Sequence, residues 1–369
     1  MKATTGAAVL ATIGLLALPA CVHDDGDGAS DRPTTGETDE VTEFFDDLLG
    51  ANLTEFLDES AQTEISPPLF GTGSTVQSAT VNVADVSSLS TSFDGSDLTI
   101  AVSRADRSAL SLDSRSDALG APHSDDLPVA GRSAQGWVLS KVDNEGVSAA
   151  IVTVTTNDGD AADYLMMGYW EHIDLDTTEA DFIRVEIGVF VDGPELSLPS
   201  PAGLPAQGTA SYYGPAWGAY SVLHGTDTGV APGSTESGMF NSTVELAADF
   251  AANTISGCVG CRDGVALFGE LYDADTGEST EVVFEDSGYW MQLEASPLRA
   301  DGTFDDTEMS LHSRVISIDS TEGAWGGRFS NIPDSDGDPR LAAGTFGAQA
   351  TSAGGSKGAF LGSFVGTKE

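Results

Sequence analysis

The pattern of hydrophobic and polar positions divides the chain into four textures. Residues 7–18 form an uncharged apolar run containing Val9, Leu10, Ile13, Leu15, Leu16 and Leu18 behind the single positive charge of Lys2. A bilayer span takes ~20 apolar residues, so this shorter run reads as the core of an export signal over residues 1–20. Residues 21–40, with His23-Asp24-Asp25-Gly26-Asp27 at their head, offer almost nothing to bury and read as an acidic disordered tether. Between 41 and 60 the spacing changes to three and four: Val41, Phe44, Phe45, Leu48, Leu49, Leu53, Phe56 and Leu57 predict a short amphipathic helix. Its polar face is acidic, which suits docking on protein better than on an anionic lipid surface. Its apolar stripe packs on its own domain or on a partner.

From Ser66 onward the pattern is that of short strands between Gly, Asp, Ser and Pro clusters. The expected strands in the first half are 75–83, 97–102, 137–142, 147–155, 162–170 and 182–191, with residues 103–132 left as a long polar loop. Pro194, Pro199, Pro201 and Pro205 crowd one short stretch. Proline has no N–H for a ladder, so 194–206 reads as a hinge between a β-rich domain (61–193) and a second one (207–369). In the second half the expected segments are 208–213, 217–223, 240–250, 254–258, 265–272, 281–284, 289–295, 309–318, 323–329, 341–348 and 359–365. Alternation is clean in several of them. Val244, Leu246 and Phe250 share one face against Glu245, Ala247 and Asp249; Val265, Leu267 and Leu271 do the same against Glu270. Phe360, Gly362, Phe364 and Gly366 share another. Large and small residues alternating along one face suit a small closed barrel, whose interior tapers and whose closure removes exposed edges. The fold class read from the pattern is therefore all-β.

Composition narrows the partners. The 369 residues carry 58 acidic and 15 basic side chains, a formal charge of −43. A field of that sign repels phosphate backbones, so nucleic-acid binding by charge is excluded. Hydrophobic residues at 40% supply enough core to fold.

Particular residues carry two resemblances. Leu18-Pro19-Ala20-Cys21 resembles the lipobox of bacterial lipoproteins, which implies cleavage before Cys21 and acylation of its sulfur. Val22 follows the cysteine where inner-membrane retention would place aspartate, which points to the outer membrane, on its periplasmic face or at the cell surface. The run 208–220 (Gly-Thr-Ala-Ser-Tyr-Tyr-Gly-Pro-Ala-Trp-Gly-Ala-Tyr) resembles the opening hairpin of the barrel domain in transferrin-binding protein B-like surface lipoproteins. Ala248-Asp249-Phe250 with Thr254-Ile255-Ser256-Gly257, then Gly326-Gly327-Arg328-Phe329, then 343–348 with 360–366, resemble later strands of that domain in the same order. The resemblance covers residues 185–368 and implies an eight-stranded antiparallel up-and-down β-barrel, a plan shared with factor H-binding protein-like lipoproteins. It further implies an irregular β handle-like domain before the barrel. The function it implies is a non-enzymatic, lipid-anchored binding module for iron- or haem-related or other protein ligands, held to the membrane by acyl chains on Cys21. A structural envelope lipoprotein with no specific ligand is the alternative. No binding residue of the family is carried over; the aromatics Tyr212, Tyr213, Trp217 and Tyr220 are the candidate ligand contacts, two of them expected to point into the barrel.

Little other chemistry is offered. Cys258 and Cys261 bracket a turn, where a structural disulfide is the default outside the cytoplasm. A redox pair would want a helix N-terminus, and zinc would want further ligands nearby. His23, His123, His172, His224 and His312 have no local metal spacing; capture of haem or metal by His172, His224 or His312 would need the fold to gather them. The Asp334–Asp338 run lacks the terminal glutamate of a calcium loop. Gly354-Gly355-Ser356-Lys357-Gly358 matches the nucleophile-elbow pattern, but that elbow joins a strand to a helix, whereas this one is expected in a hairpin. No catalytic, cofactor or metal residue is assigned.

Overall fold

The computed structural model describes residues 69–70, 76–82, 86–104, 109–119, 133–142, 146–157, 160–174, 184–194, 204–273, 275–276, 279–306, 308–330 and 337–369. Cys21, the tether expected at 21–40, the helix expected at 41–60 and most of the hinge expected at 194–206 lie outside them, while Pro194 pairs with Val76 as the end of a strand. Strands β1 (Leu69–Phe70), β2 (Val76–Asn82), β3 (Val86–Phe93), β4 (Leu98–Arg104) and β5 (Leu110–Asp113) lead into one helical turn, α1 (Ser114–Asp117). Then come β6 (Ser133–Val142), β7 (Gly146–Asn157), β8 (Asp160–Asp174) and β9 (Arg184–Pro194). The remaining strands are β10 (Thr209–Leu223), β11 (Thr235–Asp249), β12 (Thr254–Val259), β13 (Val265–Tyr272), β14 (Ser279–Phe284), β15 (Tyr289–Pro297), β16 (Thr303–Asp306), β17 (Met309–Ser313), β18 (Ile318–Phe329), β19 (Leu341–Ser352) and β20 (Lys357–Lys368). The all-β reading stands.

The stretch 103–132 is not wholly loop: β5 and α1 fall inside it. Leu110 and Leu112 are buried and alternate with Ser111 and Asp113. Two leucines are too short a period to stand out in a serine-rich sequence. The Asp113 carboxylate accepts from the Arg115 N–H and caps the turn that follows. Strand β3 escaped the pattern for the same reason, having only Val86, Leu89 and Phe93 among serines and threonines.

Three antiparallel sheets result. The first runs β1-β2-β9-β8-β7-β6 and the second β3-β4-β5. Leu89, Leu98, Ile100, Val102, Leu110 and Leu112 of the second pack on Trp137, Val152, Tyr164, Met166, Trp170 and Phe190 of the first. Residues Leu165, Met167 and Tyr169 of β8 are also buried but point the other way, and the strands that β8 and β9 meet on that side are β19 and β20. The first sheet is thus the middle layer of three.

The third sheet runs β16-β18-β19-β20-β10-β11-β12-β15-β17, with β13 paired to β11 and to β14. Its first and last strands in sequence, β10 and β20, are hydrogen-bonded neighbours from Trp217↔Ser363 to Leu223↔Lys357. At the ends of the strand order, β16 pairs with β18, Glu308 bridges to Gly323, and the Leu311 N–H donates to Thr321 Oγ1 at 2.8 Å. The two segments expected at 208–213 and 217–223 are one strand. Pro215 is tolerated because the ladder between β10 and β20 omits Gly214 and Pro215, so no partner carbonyl waits for the missing N–H. The segment expected at 309–318 is instead divided between β17 and the start of β18.

One face of this sheet encloses Tyr212, Tyr220, Phe240, Phe250, Phe304, Trp325, Phe329, Phe346, Phe360 and Phe364. Gly362 lies beneath two of these rings: a Cβ there would stand 2.6 Å from the tips of Phe240 and Phe346. The opposite face of β20 is buried as well, through Leu361, Ser363 and Val365, because the middle layer lies against it.

Candidate functional site

One end of the third sheet gathers the densest polar group among its buried residues. Strand β10 delivers Tyr220 inward and ends at His224, where the chain turns back to β11. The His224 N–H donates to Ser234 O, and Gly233 N–H donates to His224 O, both at 2.8 Å, so the backbone of that turn is pinned. Glu236, one residue into β11, accepts a hydrogen bond from the Tyr220 hydroxyl at 3.0 Å on Oε1. Its other oxygen lies 3.3 Å from His224 Nε2, both side chains being more than nine-tenths buried. A buried carboxylate is tolerable only with such partners.

Tyr289 approaches from β15, with its ring 5.3 Å from Phe360. Burial first, then the nearby charges of Glu236 and Asp227, push its phenol well above the usual tyrosine range. It stays a neutral donor at any physiological pH. Beside it lies a small pocket walled by Val222, Leu311, Ile316, Ile318 and Ala350, with Ser352 and Ser356 at its polar side.

The turn between β19 and β20 closes this end. The Ser356 hydroxyl donates to Asp227 Oδ1 at 2.5 Å and accepts from the Gly225 N–H at 2.8 Å. Hydrogen bonds from Ser352 and Ser356 hold the Asp227 carboxyl below its ordinary value. Thr226 N–H reaches Gly354 O at 2.9 Å, so the two loops are stitched together. A serine nucleophile needs its hydroxyl on a base that is itself oriented. Here the hydroxyl points at a carboxylate, and the buried histidine faces a different one. Ser356 is a structural clamp in a hairpin turn between two strands, as its surroundings in the sequence imply. What the arrangement can offer chemically is one neutral phenol beside a small apolar wall, the serine hydroxyls being taken up by Asp227 and by backbone N–H groups.

The expected ligand aromatics separate by face. Tyr212 and Tyr220 point inward and are fully buried, Tyr212 donating to Pro339 O at 2.9 Å. Trp217 is buried on the opposite face. Burial withdraws these three from ligand contact, because each ring's packing partners already occupy the space a ligand would need. Tyr213 alone keeps an accessible ring. Its hydroxyl donates to Asp263 at 2.7 Å, and the Arg262 guanidinium sits 4.9 Å over the ring.

Asp263 and Arg262 belong to the turn that Cys258 and Cys261 bracket. The two cysteines form a disulfide with Cα atoms 5.8 Å apart. Gly260 between them has φ 78°, which a side chain would resist. Hydrogen bonds from Tyr213 and Thr243 hold the Asp263 carboxyl below the usual range.

The three histidines among the described residues are not gathered. His172 is buried on β8 against Ser148 Oγ at 2.9 Å, His224 follows β10, and His312 stacks on Trp290 from β17 at 5.1 Å. Among the described residues no group of three or more His, Cys, Asp or Glu side chains could hold a metal ion. Sequence reasoning passed over Glu236, Asp227 and Tyr289. Glu236 carried the one available signal, a carboxylate entering a strand whose alternate positions are apolar.

Comparison with known proteins adds little. No protein-family model matches the chain, and no curated protein does. A crystal structure of a protein of unknown function from the DUF3598 family of Nostoc punctiforme aligns with 87% of this chain and 98% of its own. The identity is 10% and the TM-score 0.16, a likeness too slight to carry an argument.

Proposed function

We propose that residues 207–369 close into an eight-stranded antiparallel up-and-down β-barrel of the transferrin-binding protein B-like kind. In this reading the β-rich domain at 61–193 is its handle-like companion. The whole is a lipid-anchored, non-enzymatic binding module at the outer membrane. The observation that carries the reading is the pairing of β10 with β20, the first and last strands of the C-terminal half. The eight staves are then β10, β11, β12 with β13, β14 with β15, β16 with β17, β18, β19 and β20, each beside its sequence neighbour. Acyl chains on Cys21 would hold the protein at the membrane, at ~0.8 kcal/mol for each methylene buried.

The interior between these staves is filled with aromatic rings, so a ligand is taken at the rim or on the outer wall. The barrel loops are the place this reading favours, and iron- or haem-related ligands or a protein are the classes it favours; the pocket beside Tyr289 has room for about one water molecule. Growth of a deletion strain on a single iron source tests the uptake role: unimpaired growth on every iron and haem source would overturn it. Mass spectrometry of the N-terminal peptide from native membranes tests the anchor, with an unmodified Cys21 thiol as the contrary result. The same filled interior favours a second reading, a spacer of the envelope with no ligand. A deletion that weakens envelope integrity while leaving nutrient uptake intact would select it.

A further inference from the structure

Strand β14 has a hydrogen-bonded neighbour on one side only; among the described residues it pairs with β13 and with no other strand. Sheet edges are ordinarily guarded by charged side chains, lysine above all, by proline, by a bulge or by shortness; the one charge within β14, Glu281, turns away acidic partners and leaves basic ones admitted. The sequence of β14, Ser-Thr-Glu-Val-Val-Phe, has no lysine or proline, and its register with β13 is unbroken. Three large exposed hydrophobic side chains lie along this part of the sheet: Val283 at 55% exposure, Phe284 at 46% and Val315 at 68%. Val315 belongs to the same rim, since Arg314 N–H donates to Gly288 O at 2.8 Å and Arg314 Nη1 lies 3.4 Å from Asp286. Phe284 stands opposite Leu267 in the ladder, and paired residues share a face. Leu267 is buried in the core, while its partner lies half open. Among the described residues no strand other than β13 lies beside β14 to bury Phe284. The polar groups at this edge are acidic: Glu281, Glu285 and Asp286 are all exposed.

We infer that the free edge of β14 is a docking site for an extended segment of a partner protein, in which apolar side chains alternate with lysine or arginine. Such a segment adds as one more strand. Backbone hydrogen bonds supply affinity, and alternate side chains supply selection. Its apolar residues cover Phe284 on the face that Val282 shares, and its cations meet Glu281 and Glu285 on the opposite face, with their stems along Val283. A second copy of this chain is the wrong occupant, because β14 against β14 would set these carboxylates against their own kind on a surface of charge −43. The site rests on strand pairing, exposure and charge, and stands apart from the lipid anchor and from any iron- or haem-related ligand.

The test titrates the full chain with a labelled peptide of β14's own six-residue length, alternating valine and lysine, against a valine–glutamate counterpart. Amide hydrogen exchange is followed over all strands. The expected result is binding of the lysine peptide alone, with exchange across 279–284 slowed by about tenfold or more. Val283→Lys with Phe284→Lys should weaken binding by a similar factor. The milder Val283→Lys alone, at an already exposed position, should weaken it in the same direction if the double variant folds poorly. Val142→Lys, on β6 and equally exposed at 57%, should leave binding unchanged. Equal binding of both peptides, no binding, or slowed exchange spread across other strands overturns the proposal. So does protection of 279–284 that grows with protein concentration without peptide, which would mean that a second copy holds the edge.

Discussion

Gly362 has no room for even one methyl group. A Cβ at that position would stand 2.6 Å from the ends of two rings, Phe240 and Phe346, that are themselves buried on every side. Gly362→Ala should therefore destabilise by about 1–3 kcal/mol, as overpacking of a tight core does. The check is a lower urea midpoint at an unchanged slope. Tyr164 makes a second prediction at this scale. Burial, and then the charge of Asp192, raise its hydroxyl from 10.0 to about 12. The folded chain thus keeps a proton that the unfolded chain releases once pH passes about 10. The stabilisation is fully present below that pH and is lost as pH climbs toward 12. Tyr164→Phe should flatten the alkaline limb of a pH–stability curve over that window and leave the neutral region's slope unchanged. The glycine–phenylalanine alternation at 360–366 was legible in the sequence because it is local and periodic. Tyr164's partner is not legible, since Asp192 comes from another strand.

At the scale of elements, the strands that could be read were those with one wet face. In β11 and the first residue beyond it, Val244, Leu246 and Phe250 alternate with Glu245, Ala247 and Asp249, and the structure buries the first set while the second stays at least partly exposed. Strands β3 and β5 were missed because serine and threonine fill them. Thr91 on β3 shows why those residues belong there: its hydroxyl donates to the buried carboxylate of Asp192. Strand β20 has a structural duty that can be tested by removal. It is hydrogen-bonded to β10 on one side and β19 on the other. Ending the chain at Ser356 would open two long edges at once. The truncated protein should aggregate, read as loss of the monomer peak in size-exclusion chromatography. The Cys258–Cys261 disulfide closes a very short loop, for which the chain-entropy account gives about 2 kcal/mol. Replacing both cysteines by serine should lower stability by no more than that, measured again by urea, and leave the far-ultraviolet dichroism of the sheets intact.

At the scale of the whole molecule, a single buried carboxylate ties the three sheets together. Asp192 on β9 of the first sheet accepts from Thr91 of the second and lies 3.9 Å from the Arg328 guanidinium of the third. Arg328 Nη1 also donates to Gly193 O at 3.2 Å. Both charged side chains are essentially without solvent contact. Removing one partner of such a pair leaves a bare charge in the interior, so Arg328→Met should cost about 3–5 kcal/mol. Arg328→Met combined with Asp192→Leu should recover much of that loss, since the bare charge is gone. A double-mutant cycle on thermal or urea unfolding reads the difference.

The all-β class, the positions of most strands and the inward side of β11, β13 and β20 are all readable from the order of residues alone. Those properties follow from alternation between neighbouring residues, and neighbours are what a sequence displays. It took the packing of distant strands to bury both faces of β8 and β20, to bury the rings of Tyr212, Trp217 and Tyr220, and to leave β14 paired on one side among the described residues. That packing alone brought Tyr220, His224, Glu236 and Tyr289 to one end. Each of these depends on which distant strand lies alongside. That choice is made by packing between segments as far apart as Thr91 and Asp192, where no local period leaves a trace.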